Sequence, residues 1–189
     1  MRAPLILGLA LLAACGGDSG EGPALIVGPA GANTCDDLWV EIAANNADTY
    51  TLSWSLDGEA QDGLTGTTLS AENTRKGDEW TVTATKGNRT SSATIVIGNA
   101  LPAAEVAIEP AAPTADDEIT ATGAATDPDG DPAVVEYGWE LFNTETQLWD
   151  ESTSKNRTLP ASATRRGQEW RVVVTPDDGD DYAHRGFLQ

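Results

Sequence analysis

The second half of the chain contains two short segments in which carboxylates are closely spaced. The first segment reads Asp-Pro-Asp-Gly-Asp, and the second reads Pro-Asp-Asp-Gly-Asp-Asp. Carboxylate oxygens are the hard ligands that calcium prefers, so two such loops that meet would form a calcium site. Because Asp, Pro and Gly are also common turn residues, plain acidic turns are the alternative. The candidate calcium ligands are Asp127, Asp129, Asp131, Asp177, Asp178 and Asp180.

Two tryptophans are candidates for contact with a ligand. Trp149 lies in a polar insertion, Thr144–Asp150, where an exposed ring would stack on a sugar or anchor a protein partner. The alternative is that Leu148 and Trp149 fold back over a sheet edge. Trp39 lies in the alternating segment Leu38–Ile42, in which the aliphatic residues share one face, so Trp39 is predicted to point outward.

Catalytic residue patterns are lacking in the sequence. The single histidine, His184, lies near the C-terminus beside Arg185, and neither a nucleophile elbow nor a zinc-ligand spacing occurs. We therefore predict that the protein is not an enzyme.

The elements that must position these residues are duplicated. Leu69–Trp80 aligns with Leu159–Trp170 at an offset of 90, with the Leu, Ala, Thr, Arg, Gly, Glu and Trp positions identical. Upstream, Trp54 aligns with Trp139 at an offset of 85. Asp36-Asp37 aligns with Asp116-Asp117 at an offset of 80, so the second copy carries two insertions.

Each copy has the pattern of β-strands. In Tyr50–Leu56 and Trp80–Thr85 apolar residues alternate with Ser and Thr, and Thr94–Ile97 is a β-branched run that ends at Gly98. Short strands separated by Gly, Asp, Asn and Pro indicate an all-β fold of two tandem β-sandwiches, over residues 23–99 and 100–189. The four repeated tryptophans, Trp54, Trp80, Trp139 and Trp170, are predicted to lie in the two cores.

The second copy resembles a family of bacterial surface modules. The resemblance lies in Pro110–Asp117, Asp127–Asp131, Tyr137–Trp139, Arg166–Trp170 and Thr175–Gly179. This pattern is similar to the tandem immunoglobulin-like repeats of bacterial surface proteins, which are related to polycystic-kidney-disease and cadherin-like domains. The first copy matches less well because it lacks the Asp-Pro-Asp-Gly-Asp segment. The resemblance implies an extracytoplasmic role in adhesion, spacing or carbohydrate contact, and it implies no catalysis.

The N-terminus has the layout of a secretory signal. One charge, Arg2, precedes an apolar run, and Leu12-Ala13-Ala14-Cys15 follows, which resembles the lipobox of bacterial lipoproteins. We expect residues 1–14 to be a cleaved signal peptide and Cys15 to carry acyl chains such as palmitate, which would anchor the protein to a membrane. Residues 15–22 would form the flexible tether. The residue after Cys15 is Gly16 rather than Asp, which favours the outer membrane, facing the periplasm or the cell surface.

Charge limits the partners of the chain. The formal net charge is −19, which excludes nucleic acid as a partner because phosphate binding requires Lys and Arg. With Cys15 acylated, Cys35 has no partner for an intramolecular disulfide. These features predict a lipid-anchored, non-catalytic binding or adhesion module that contacts a glycan or protein through its second domain. The alternative is a structural spacer or accessory envelope subunit without a small ligand.

Overall fold

The structure is a computed structural model that describes residues 22–43, 49–180 and 186–188, the last of these as backbone only. The chain divides into two compact units between Asn99 and Ala100. Within the described residues, no helix has the length and apolar character needed to cross a bilayer. The expected signal peptide and Cys15, together with most of the expected tether, lie outside the described residues, as does His184.

The first unit is a sandwich of two antiparallel sheets. One sheet has the order β1-β2-β5, and the other has the order β4-β3-β6-β7. A single turn of 3-10 helix, Ala71–Asn73, follows β5. The strands are β1 (Ala24–Gly28), β2 (Leu38–Ala43), β3 (Thr51–Leu56), β4 (Glu59–Gln61), β5 (Thr68–Leu69), β6 (Glu79–Lys86) and β7 (Arg89–Val96).

The second unit repeats this topology strand for strand. Its sheets have the orders β8-β9-β12 and β11-β10-β13-β14, and a 3-10 turn again follows the fifth strand, at Ala161–Ala163. The chain is therefore two tandem immunoglobulin-like β-sandwiches, as the sequence predicts. The strands are β8 (Ala103–Glu109), β9 (Ile119–Thr126), β10 (Val134–Asn143), β11 (Leu148–Glu151), β12 (Thr158–Leu159), β13 (Trp170–Asp177) and β14 (Gly186–Leu188).

Each sandwich has its own apolar core built around the tryptophan of its third strand. Trp54 lies opposite Val82, and its indole Nε1 donates to the Gly66 carbonyl oxygen at 2.9 Å. Trp139 lies opposite Val172 and donates in the same way to the Asn156 carbonyl oxygen at 3.0 Å. Both rings are buried and both N–H groups are satisfied, which is the arrangement that a buried indole requires.

The sixth-strand tryptophans are not equivalent. Trp80 is buried and contacts Trp54 edge to face, with ring centroids 6.4 Å apart. Trp170 is only partly buried, and its Nε1 donates to the Gln168 side chain at 3.2 Å. The prediction of a core tryptophan holds fully for Trp80 and only partly for Trp170, which packs at the margin of the second core.

The repeated Thr-Arg-x-Gly sequence forms the same turn in both copies. Gly77 and Gly167 have φ angles of 90° and 85°, a backbone conformation that disfavours other residues. The backbone N–H of Arg75 donates to Asp78 Oδ2 at 2.8 Å, and that of Arg165 donates to Gln168 Oε1 at 2.7 Å. The identity of the two copies in this segment therefore reflects a turn that positions the sixth strand.

The repeated acidic pair near the second strand also stabilises local structure. Asp37 Oδ1 accepts the Ala71 backbone N–H at 2.8 Å in the first unit. In the second unit, Asp117 Oδ2 accepts the hydroxyl and the backbone N–H of Thr114. These two hydrogen bonds hold the pKa of the Asp117 carboxyl below its usual value, and the bond from the Thr114 hydroxyl has the larger effect.

Candidate functional site

The first acidic segment forms the loop between β9 and β10, the second and third strands of its domain. Asp127 Oδ1 accepts the backbone N–H groups of Asp129 at 2.8 Å and Asp131 at 3.1 Å. Gly130, with a φ angle of 84°, completes the tight turn. The Asp-x-Asp-Gly-Asp spacing thus folds the loop around the side chain of its first aspartate.

The three carboxylates of this loop come together. One oxygen from each of Asp127, Asp129 and Asp131 lies within 4.8 Å of the other two. Asp129 Oδ2 also accepts the Ala100 backbone N–H at 2.7 Å. Asp127 Oδ2 is buried and has no hydrogen-bond partner among the described residues. A buried carboxylate oxygen without a partner is costly, and a hard cation would satisfy it.

The second acidic segment lies at the same end of the sandwich but does not join this cluster. Asp177 ends β13 opposite Val134, at the start of β10. Asp177 Oδ1 accepts the Gly179 N–H at 2.8 Å, and Asp178 Oδ1 accepts the Asp180 N–H at 2.9 Å. Among the described residues, the cluster therefore contains three of the six predicted ligands, and the other segment folds its own turn.

Trp149 lies in a strand and not in a loop. The predicted polar insertion is an extension of the β10–β11 hairpin, in which Trp149 pairs with Phe142 and their ring centroids are 5.2 Å apart. The corresponding hairpin of the first copy turns at Asp57-Gly58, directly after Leu56. The side chain of Trp149 is partly buried on the outer face of the sheet. Its neighbours there are side chains of β10 and β13.

Arg171 fixes the position of Trp149 on that outer face. Its guanidinium carbon lies 4.4 Å from the Trp149 ring centroid, within the range of a cation–π contact. Its Nε donates to Glu140 Oε2 at 2.7 Å, and the Glu140 and Arg171 side chains are only 13% and 19% exposed. The ion pair is thus mostly shielded from water, which restricts the guanidinium to one orientation.

A shallow depression adjoins this ion pair. Gly138 forms part of its floor, and the depression has a volume of about 110 Å³. Its charged groups come from β10, β11 and the segment after β11, and the ammonium of Lys155 forms an ion pair with Glu151. A side chain at position 138 would project into this space, since a Cβ there would lie 3.7 Å from Lys155 Nζ. The lining includes Glu136, Glu140, Glu151, Lys155, Val173 and Thr175.

This depression is not among the sites that the sequence predicts. Gly138 lies between Tyr137 and Trp139, and Trp139 points into the core, so the residue between them must face outward. A glycine on the outer face of a central strand is the signal that would have indicated a recess or a close approach. The neighbouring charges come from distant positions, so only the fold shows them together.

Trp39 is exposed on the outer face of the first domain, where the alternation of its strand predicts it. The side chain is 41% exposed and lies over Gly28, its partner across the β1–β2 pair. Cys35 is exposed and free among the described residues, which do not include Cys15.

Comparisons with known proteins do not identify a family. No protein-family model matches the chain, and no curated protein matches it. Among solved structures, domains A168–A170 of titin align with it at 11% identity and a TM-score of 0.33. The alignment covers 88% of this chain and 56% of the titin chain.

Proposed function

We propose that the protein is a lipid-anchored, non-catalytic binding or adhesion module of the outer membrane, and that the second domain makes the contacts. The lipobox-like Leu12–Cys15 supports the anchor, and the net charge of −19 argues against nucleic acid. One observation carries the proposal: on the outer face of β11, β10 and β13, the Gly138 depression lies next to Trp149 and Arg171.

The composition of this face suits recognition of a polar partner. Trp and Arg are the residue types that most often dominate binding energies in interfaces. The Gly138 depression adds fixed charges of both signs, from Glu140, Glu151 and Lys155, which would orient hydrogen-bonding groups of a protein or a glycan. The equivalent face of the first domain bears Ser and Thr instead, including Ser55, Thr81 and Thr83. The fold itself therefore does not require these residues.

A charge reversal at the depression tests this proposal. Vesicles that carry the full-length protein should be retained on envelope fractions of the source cells, and Lys155→Glu should reduce retention about ten-fold, as loss of an important interface residue does. The matched control is Lys86→Glu, an exposed lysine of the first domain that lies over Tyr50. Equal retention of the two variants, or no retention of the parent protein, would contradict a binding role for this face.

We also propose that the Asp127–Asp131 loop binds calcium. The support is the grouping of the three carboxylates within 4.8 Å together with the buried, unpartnered Oδ2 of Asp127. The ion would bind through Asp127, Asp129 and Asp131, with carbonyl and water oxygens completing its shell. Asp177, Asp178 and Asp180 would then contribute negative potential near the site without ligating the ion.

A structural spacer is the second candidate function. The two sandwiches share their strand orders, their third-strand tryptophans and the glycine turns at Gly77 and Gly167, which is what repetition of a rigid unit requires. A spacer has no preferred contact face. Retention that is insensitive to both lysine variants, yet changes when the number of domains is changed, would support this alternative.

A further inference from the structure

The outer face of the β1-β2-β5 sheet, in the first domain, presents a tryptophan whose ring lies close against Gly28 of the neighbouring strand. A Cβ at Gly28 would lie 2.4 Å from Cζ2, 2.8 Å from Cε2 and 2.9 Å from Cη2 of Trp39. The six-membered ring therefore occupies the space that any other residue at position 28 would need. The ring nevertheless remains 41% exposed, so part of its surface is open to solvent.

Hydrogen-bonding groups lie beside this ring. Thr68 on β5 pairs directly with Trp39, and Glu41 follows two residues along the same strand, on the same face. Both side chains are exposed. On the other side, Ile26 of β1 lies opposite Glu41 and adds apolar surface. We call Gly28, Trp39, Glu41 and Thr68 the Trp39 platform.

The second domain shows that the fold does not need this platform. Leu38 pairs with Leu69 in the first domain, and Ile119 pairs with Leu159 at the same place in the second. By that register, the positions of Trp39 and Gly28 are taken by Thr120 on β9 and by Glu109, its partner on β8. Glycine in a strand lacks a side chain to pack and often marks close approach of a ligand or ring.

We propose that the Trp39 platform is a stacking subsite for uncharged pyranose units of a polysaccharide. The C–H face of a pyranose is apolar and matches the open surface of the indole. Its hydroxyl groups would donate to the Glu41 carboxylate and exchange hydrogen bonds with the Thr68 hydroxyl. Glu41 and the net charge of −19 disfavour anionic sugars. This site lies in the first domain and is independent of the contact face proposed for the second.

Affinity electrophoresis of the full-length protein in non-ionic detergent tests the subsite. The gels contain a neutral glucan, mannan, galactan or xylan, and polygalacturonate is the anionic comparison. Retardation is expected in at least one neutral gel and not in polygalacturonate. Trp39→Ala should weaken the retarding affinity about ten-fold or more. Val96→Ala, at a 55% exposed position on the other sheet of the first domain, should leave it unchanged.

A second variant separates ring position from fold stability. Gly28→Ala keeps Trp39 but places a Cβ where the ring lies, so retardation should fall while the melting curve still shows a folded first domain. The proposal is wrong if no neutral polysaccharide retards the protein, or if Trp39→Ala and Gly28→Ala behave like the parent. It is also wrong if Trp39→Ala changes only the sedimentation coefficient, since the platform would then be a contact between copies. Both substitutions lie in the first domain and leave the second-domain face unaltered, so this test fails or succeeds separately from that of the second domain.

Discussion

Replacing Trp139 with alanine is expected to lower the free energy of unfolding of the second domain by about 3–5 kcal/mol. The side chain is 0% exposed and packs against Val172 and Leu159 in the second core. The substitution removes the largest buried side chain of that core and leaves the Asn156 carbonyl oxygen without its indole donor. A loss of this size is a large fraction of the stability of a typical domain.

Differential scanning calorimetry of the full-length protein measures this effect. For a domain of this length, each kcal/mol lowers the melting temperature by about 4–8 °C, so the second-domain transition should fall by at least about 12 °C. Trp54→Ala is the matched variant, since Trp54 has the same position and the same type of hydrogen bond in the first core. Each variant should shift a different transition. A shift of one common transition by both variants would contradict two separate cores.

Calcium is expected to raise the melting temperature of the second domain by about 6–10 °C. Extracellular calcium sites have dissociation constants near 10⁻⁴–10⁻³ M, and a ten-fold excess over that constant adds about 1.4 kcal/mol. That free energy corresponds to the stated shift for one domain. The physical source is the buried Oδ2 of Asp127, which has no hydrogen-bond partner among the described residues and which the ion would satisfy.

The calcium measurement compares melts of the full-length protein in excess EDTA and in 10 mM calcium. Asp127→Asn keeps an oxygen for the N–H groups of Asp129 and Asp131 but removes the charge, so the calcium shift should disappear. Asp78→Asn is the control, because Asp78 also accepts a backbone N–H in a turn but lies in the first domain. A shift that survives Asp127→Asn, or the absence of any shift, would show that the loop is a plain acidic turn.

The strands and the cores could be predicted because their signals are local and repeated. Alternation with a period of two assigns Leu52 and Trp54 to one face of a strand, and the same alternation leaves Trp39 outside. The duplication of Leu69–Trp80 adds a second, independent copy of the same pattern. Burial in a sandwich follows from these patterns, since only one face of each strand can meet the opposite sheet.

The surroundings of the candidate site residues could not be predicted, because they depend on register and on backbone N–H groups. The segment Leu148–Glu151 is too short for its alternation to reveal a strand, and only pairing with β10 places Trp149 beside Phe142. Asp177 and Asp178 have the same residue types as the clustered aspartates, but their oxygens accept N–H groups of their own turn. Composition does not distinguish a carboxylate that folds a turn from one that remains available for an ion.

Photo-crosslinking in the source cells tests most directly whether the second domain makes the contacts. A photoreactive residue replaces Glu136, which is exposed and lines the Gly138 depression on the outer face. In a second strain it replaces Val96, which is 55% exposed in the first domain. A binding function of the second domain predicts a discrete crosslinked species from position 136 that is absent from position 96 and is lost on Lys155→Glu. Equal crosslinking from both positions, or none from position 136, would contradict it.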